Sequence, residues 1–243
     1  MKRVLLTLLL FSAAVFSSGC AKKSSETELK PTAFGAVLVE SSGGKQVGSV
    51  GAVLAQPVVV QVNDDQGAAL PGAPVEFSGP AGVSFDPSHG ITDSSGQVTT
   101  NVYLGSMAGR YELTAITFTK AKKEIKLPLQ EIALGYQQQF GQQLNEKYCA
   151  RCHDPESTPE RVSNYDNLEV KPRPFTEGDT LNKISEADLT AIINHGGPAL
   201  NRSVLMPPYG LTLSKPEIQA LISYIRLVSD PPYQSSGMVY AGK

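Results

Sequence analysis

From Phe34 to Leu129 the chain alternates apolar and polar positions with a period of two. Val58, Val60 and Val62 alternate, as do Val75 and Phe77, then Val98, Thr100, Val102 and Leu104, then Tyr111, Leu113 and Ala115. Clusters of Gly, Pro, Asp and Asn separate these runs at intervals of about ten residues, the rhythm of antiparallel strands with one buried face. Two turns share the form D-x-x-G, Asp64–Gly67 and Asp93–Gly96. In such turns Asp bonds its own backbone and Gly takes a positive φ. About 95 residues of this kind predict a two-sheet sandwich over residues 34–130 rather than a closed barrel. Near Ala133 the period changes. "YQQQFGQQLNEKY" reads as a helix, and Ser185 with Asp188 caps a second one whose inner face is Leu189, Ile192 and Ile193. Gly196 and Gly197 stop that helix. Ser214 with Glu217 caps a third, with Pro216 in its first turn and Ile218, Leu221, Ile222 and Ile225 as its stripe. Asp230-Pro231-Pro232 ends it, so an all-α domain is expected over 131–230 and a tail over 231–243.

The N-terminus reads differently from both domains. Lys2 and Arg3 precede an apolar run from Val4 to Phe16, and small residues then lead to Cys20. The run falls short of the roughly 20 residues that a membrane span needs, so residues 1–19 read as an export signal. The ending resembles a bacterial lipobox, with Ser18 and Gly19 in place and Ser17 where Leu is usual. That resemblance implies lipidation of Cys20, with residues 20–33 as a polar tether; a plain signal peptide is the alternative. The net charge of −2 argues against nucleic acid as a partner and against a polybasic hold on membranes.

The other two of the three cysteines lie in "YCARCHD". Structural zinc wants four soft ligands, and once Cys20 is removed no other Cys completes the set, with His195 able to give only one more ligand. A thioredoxin-like exchange site would need a βαβ setting, whereas these surroundings read as helical. Two thiols at i and i+3 on a helical turn instead reach both vinyl groups on one edge of a haem, with the next His placed under the iron. Average residue frequencies give C-x-x-C-H a chance occurrence on the order of one in a thousand in a chain of this length, so chance is set aside. The predicted export fits, because thioether haem is attached outside the cytoplasm.

Residues 137–228 resemble a single-haem class I cytochrome c. Gly141, eight residues before Cys149, stands where that family's first helix touches its last, and Leu144 and Tyr148 fit the same face. Leu221 and Tyr224 match the facing leucine and aromatic, while Asn145 departs from the usual aromatic. The resemblance implies one covalent haem c on Cys149 and Cys152, with His153 as one axial ligand and Met206, before Pro207 and Pro208, as the other. It also implies a proline carbonyl accepting from His153, for which Pro172 and Pro174 are the candidates. Arg173 is placed either to meet a haem propionate or as a solvated loop cation, and His195 is the rival axial ligand. Met107 and Met238 fall to the sandwich and the tail.

Residues 34–120 resemble the bacterial Ig-like domains of invasin- and intimin-type surface proteins, through "VQVNDDQGAALPGAPVEF" and "ITDSSGQVTTNVYLGSMAGRYELTA". His89, in "DPSHGI", reads as an exposed loop residue. The expectation is an Ig-like sandwich followed by a class I cytochrome c fold in the cell envelope, tied to a bacterial membrane through Cys20. It would carry single electrons between redox partner proteins and would not itself be an enzyme. The sandwich would serve as a spacer or docking module, so a chain beginning near Ala133 would keep the full potential. Two alternatives stand beside this: a surface interaction protein with an accessory haem domain, and an electron-transfer subunit of a larger oxidoreductase complex.

Overall fold

A computed structural model describes residues 30–158 and 161–233, so the lipidation site expected at Cys20 lies outside the described residues. One sheet runs β1 (Val37–Ser42), β3 (Val58–Asn63), β7 (Gln97–Tyr103), β5 (Ser84–Asp86). The other runs β2 (Val47–Ser49), β9 (Glu124–Leu134), β8 (Gly109–Phe118), β4 (Pro74–Ser78), β6 (His89–Ile91). Paired strands are antiparallel except β2 and β9, which run parallel. The alternation seen in the sequence is the packing: Val58, Val60, Val62, Val75 and Ala115 are fully buried between the sheets. Two buried threonines are bonded, Thr100 Oγ1 donating to the Pro87 carbonyl (2.7 Å) and Thr117 Oγ1 to that of Pro74 (2.6 Å).

Both D-x-x-G turns close as their chemistry dictates. Asp64 Oδ1 accepts from the N–H groups of Gln66 and Ala68, and Asp93 Oδ1 from those of Ser95 and Gln97. Gly67 and Gly96 sit at φ 82° and 74°. His89 is exposed as expected, but on β6 rather than in a loop, because β4 pairs its outer edge there, with Glu76 opposite His89.

The strand β9 continues to Leu134, past the boundary expected at 130. Leu129 and Ala133 face the sandwich core, whereas Ile132 and Leu134 pack on Val228 of the helical domain. A stretch buried on both faces loses its period of two, which is why "EIAL" does not announce itself as strand. A single residue, Gly135, separates this strand from the first helix.

The helical domain comprises α1 (Tyr136–Leu144), a π-helical turn (Asn145–Cys149), α2 (Ala150–His153), α3 (Gly178–Leu181), α4 (Glu186–His195) and α5 (Lys215–Val228). Ser185 Oγ accepts from the Asp188 N–H (3.0 Å), and the Ser214 N–H donates to Glu217 Oε2 (2.7 Å), so both predicted caps form. A Cβ on Gly141 would overlap the Ala220 carbonyl and lie 2.8 Å from Tyr224 Cβ, so α1 and α5 cross backbone to backbone. The atoms nearest this glycine belong to Ala220 and Tyr224, and Leu221 is buried in the helical core with Leu144. From α5, Arg226 donates to the carbonyls of Leu181 (2.8 Å) and Ile184, fixing the α3–α4 connection. Among the described residues no helix is long and apolar enough to cross a membrane.

One buried charge interrupts the sandwich core. Glu131 of β9 is fully buried at a core-facing position. Its Oε2 accepts the Gln46 N–H at 2.7 Å, and Oε1 has no hydrogen-bond partner among the described residues. Burial, with a smaller push from Glu40, raises its pKa from 4.5 to about 7, against the pull of the Gln46 N–H. The folded state therefore holds this proton more tightly than the unfolded chain does. Stability is complete below about 4.5 and declines as pH rises through about 7. Allowing for partial solvent screening, the loss is on the order of 2 kcal/mol. Glu131→Gln should flatten this decline while keeping the bond to Gln46. Urea unfolding between pH 4.5 and 8 checks it, and an unchanged slope in the variant would refute the assignment.

Candidate haem site

The chain delivers its two thiols on a widened turn. The Ala150 N–H bonds the Asn145 carbonyl five residues back, so the helix expands to π geometry where the cysteines begin. Asn145, the departure from the aromatic pattern, is buried there, and its Oδ1 has no hydrogen-bond partner among the described residues. Cys149 and Cys152 are both half-buried and not in a disulfide. Burial, reinforced by the Cys152 thiol, pushes the Cys149 pKa up to about 12. An exchange-active thiol needs the opposite shift. Among the described residues no three His, Cys, Asp or Glu side chains converge as a metal-ion site.

His153 ends α2 with its ring held at one edge and on one face. Nδ1 lies 2.8 Å from the Arg173 carbonyl, which can only accept, so Nδ1 carries the proton and Nε2 keeps its lone pair. The Phe175 ring stacks on the imidazole at 4.7 Å and 27°. Burial lowers the imidazole pKa, partly offset by the bond to Arg173, which keeps the ring neutral at neutral pH. The acceptor is thus Arg173 and neither Pro172 nor Pro174. The Pro174 carbonyl already receives the Glu177 N–H at 3.0 Å, turning away from the imidazole. The Arg173 guanidinium pairs with Glu177 (2.6 Å), whose carboxyl is held below its ordinary pKa by the Thr180 hydroxyl first and by Arg173 after it.

Met206 is half-buried against the helical core together with Tyr148, Cys149, Phe175 and Tyr209. His195 is exposed at the C-terminal end of α4. The Met206 loop is anchored by residues whose part the sequence did not disclose. Gly196, at φ 80°, and Gly197 lie so close to this loop that Cβ atoms would meet the Met206, Pro207 and Ser203 backbone. The Gly197 N–H donates to the Met206 carbonyl at 3.0 Å. The Tyr209 hydroxyl donates to the Tyr148 carbonyl at 2.9 Å, tying this loop to the turn that carries the cysteines. An aromatic just after Met-Pro-Pro was the available signal. These donors fit a haem: two thiols one turn apart, a neutral imidazole with a fixed tautomer, and a thioether packed into the same apolar cluster.

Residues 137–225 match the family model described as "Cytochrome C oxidase, cbb3-type, subunit III", which spans α1 to α5. No curated protein matches the chain. Among solved structures it is similar to the D00-D0 domain of Intimin, at 12% identity over 44% of this chain and 51% of that one, with a TM-score of 0.32. It is also similar to the Yersinia pseudotuberculosis adhesin InvE (13% identity, 42% and 33% coverage, TM-score 0.31) and to the E. coli chaperone DraB (8%, 43% and 57%, 0.32). The chain spans about half the length of the intimin structure, and likenesses this distant carry nothing about activity. The sandwich stands on its own strand order and the helical domain on its motif, spacing and family match: the chain is a two-sheet β-sandwich followed by a helical domain that matches a cytochrome c family over residues 137–225, which implies covalently bound haem c.

Proposed function

We propose that the protein is an exported, lipid-anchored carrier of single electrons, with one haem held by Cys149 and Cys152 and ligated by His153 and Met206. The observation that carries this reading is that Met206, Cys149 and Phe175 all pack against the same helical core while the His153 proton is committed to the Arg173 carbonyl. Bound haem supplies a one-electron Fe(III)/Fe(II) couple. The Nδ1–H bond fixes the tautomer and raises the basicity of Nε2. The Met206 thioether is a soft donor that favours Fe(II), which suits a carrier on the oxidising side of a respiratory chain. Pro207 and Pro208 stiffen the loop that presents it, and Tyr148, Phe175 and Tyr209 pack on the same apolar core as Cys149 and Met206. Donor and acceptor are redox proteins of the cell envelope, and the membrane is reached through a lipid on Cys20. A second reading, an electron-transfer subunit of a larger oxidoreductase complex, is favoured by the oxidase-subunit description of the matching family.

The axial set is tested by paired variants. Met206→Ala should erase the red charge-transfer band of an iron–thioether bond and admit carbon monoxide. It should also lower the potential by roughly 0.1 V or more, part of the ~0.8 V over which axial ligands act. His195→Ala should leave all three nearly unchanged. The reverse pattern would mean a bis-histidine centre of lower potential. Anchoring is checked separately: in a host that processes lipoproteins, Cys20→Ser should move the protein from the membrane fraction to the soluble one. A wild type that is already soluble would remove the lipid from the account.

A further inference from the structure

The segment from Arg173 to Gly178 is bonded on two sides. Toward the haem donors, the Arg173 carbonyl accepts from His153 and Phe175 stacks on its ring. Away from them, the Asp230 N–H donates to the Thr176 carbonyl (2.8 Å) and the Gly178 N–H to the Asp230 carbonyl (2.9 Å). The stretch just before Asp230 is held by the sandwich. Arg110 of β8 donates through Nη2 to the carbonyl of Val228 (3.1 Å) and to that of Ser229. Beside it on β9, Ile132 and Leu134 bury against Val228, and Phe175, Tyr224 and Leu227 pack on that cluster. Phe175 therefore packs on the helical core and on the interdomain cluster at once.

We propose that the sandwich is part of the apparatus that orients the haem's histidine ligand, with Arg110, Ile132 and Phe175 as positioning residues that act through the 173–178 segment. This rests on the reading of His153 as an iron ligand. A hydrogen-bonded carbonyl sets both the ring plane and the basicity of such a histidine, so whatever fixes the carbonyl fixes part of the potential. Arg110 meets two carbonyls with one charged group, a bond type stronger than its neutral counterpart. Lysine, a point charge on a flexible stem, reproduces the charge but not the planar donor set. On this proposal a chain starting near Ala133, which lacks Arg110 and Ile132 and most of β9, would not keep the potential of the full chain.

The test uses the full-length holoprotein and four variants: Arg110→Ala, Arg110→Lys, Ile132→Ser, and, as a control, Val37→Ser at an exposed position of β1 that bonds neither Val228 nor Ser229. Reduction potential and the paramagnetic proton shifts of the haem methyls are measured, since the shift pattern reports the plane of the axial imidazole. Arg110→Ala and Ile132→Ser should reorder the methyl shifts and move the potential while the iron–thioether band is retained. Arg110→Lys should fall between them and wild type, and Val37→Ser should match wild type. Wild-type shifts and potential in Arg110→Ala, whatever its melting temperature, would overturn the proposal, as would an equal change in Val37→Ser. If Arg110→Ala yields no folded holoprotein, Arg110→Lys decides on the same readouts. A wild type that carries no haem would overturn the site reading itself and the proposal with it, an outcome distinct from haem present with unmoved shifts.

Discussion

The hydrogen bond from His153 Nδ1 to the Arg173 carbonyl is the constraint on which the site depends. It decides which imidazole nitrogen is protonated, and so which one keeps a lone pair. It also joins two parts of the chain that are far apart in sequence: the turn carrying the thiols and the loop between Pro172 and Pro174. The prolines bias the residues before them toward extended backbone, and the turn at Glu177 directs the Pro174 carbonyl elsewhere. The Arg173 carbonyl is left to face the ring. The same loop is stitched to Asp230 and, through Val228 and Ser229, to the sandwich. Local backbone chemistry and domain packing therefore act on one atom.

On the far side of the cluster, close backbone approach takes over from hydrogen bonding to a ring. Gly141 lets α1 lie against α5, which sets where the following π turn places Cys149. Gly196 and Gly197 let the Met206 loop fold onto the end of α4, and Tyr209 ties that loop to the Tyr148 carbonyl. Met206 and Cys149 thus pack on one apolar core although more than fifty residues separate them. His195 ends α4 exposed.

Much of this was legible in the sequence where a single rule governs a residue. Strands with one buried face show their period, so Val58 to Val62 could be read directly. A C-x-x-C-H motif and a Met before two prolines carry their chemistry in their spacing. The failures share a cause: several neighbours determine the outcome at once. The end of β9 is covered by the sandwich on one face and by Val228 on the other, so its alternation vanished. The acceptor for His153 is the carbonyl between the two prolines, and the Pro174 carbonyl is engaged by the Glu177 N–H, a bond that no local pattern announces. Glu131, a charged residue at a core position, reads as solvent-facing until the strand register places it inside. The contact between Arg110 and the last helix spans more than a hundred residues and leaves no local pattern at all.

Covalent attachment at the two thiols is the claim from which everything at the site follows, and peptide mass spectrometry tests it most directly. The protein would be produced in a host that matures c-type cytochromes, then cut with a protease that spares Arg151, which lies between the two cysteines. The account predicts one peptide spanning Cys149 to His153 with the added mass of a single haem and no thiol left to alkylate. A peptide of unmodified mass, in which both Cys149 and Cys152 take up the alkylating reagent, would contradict it.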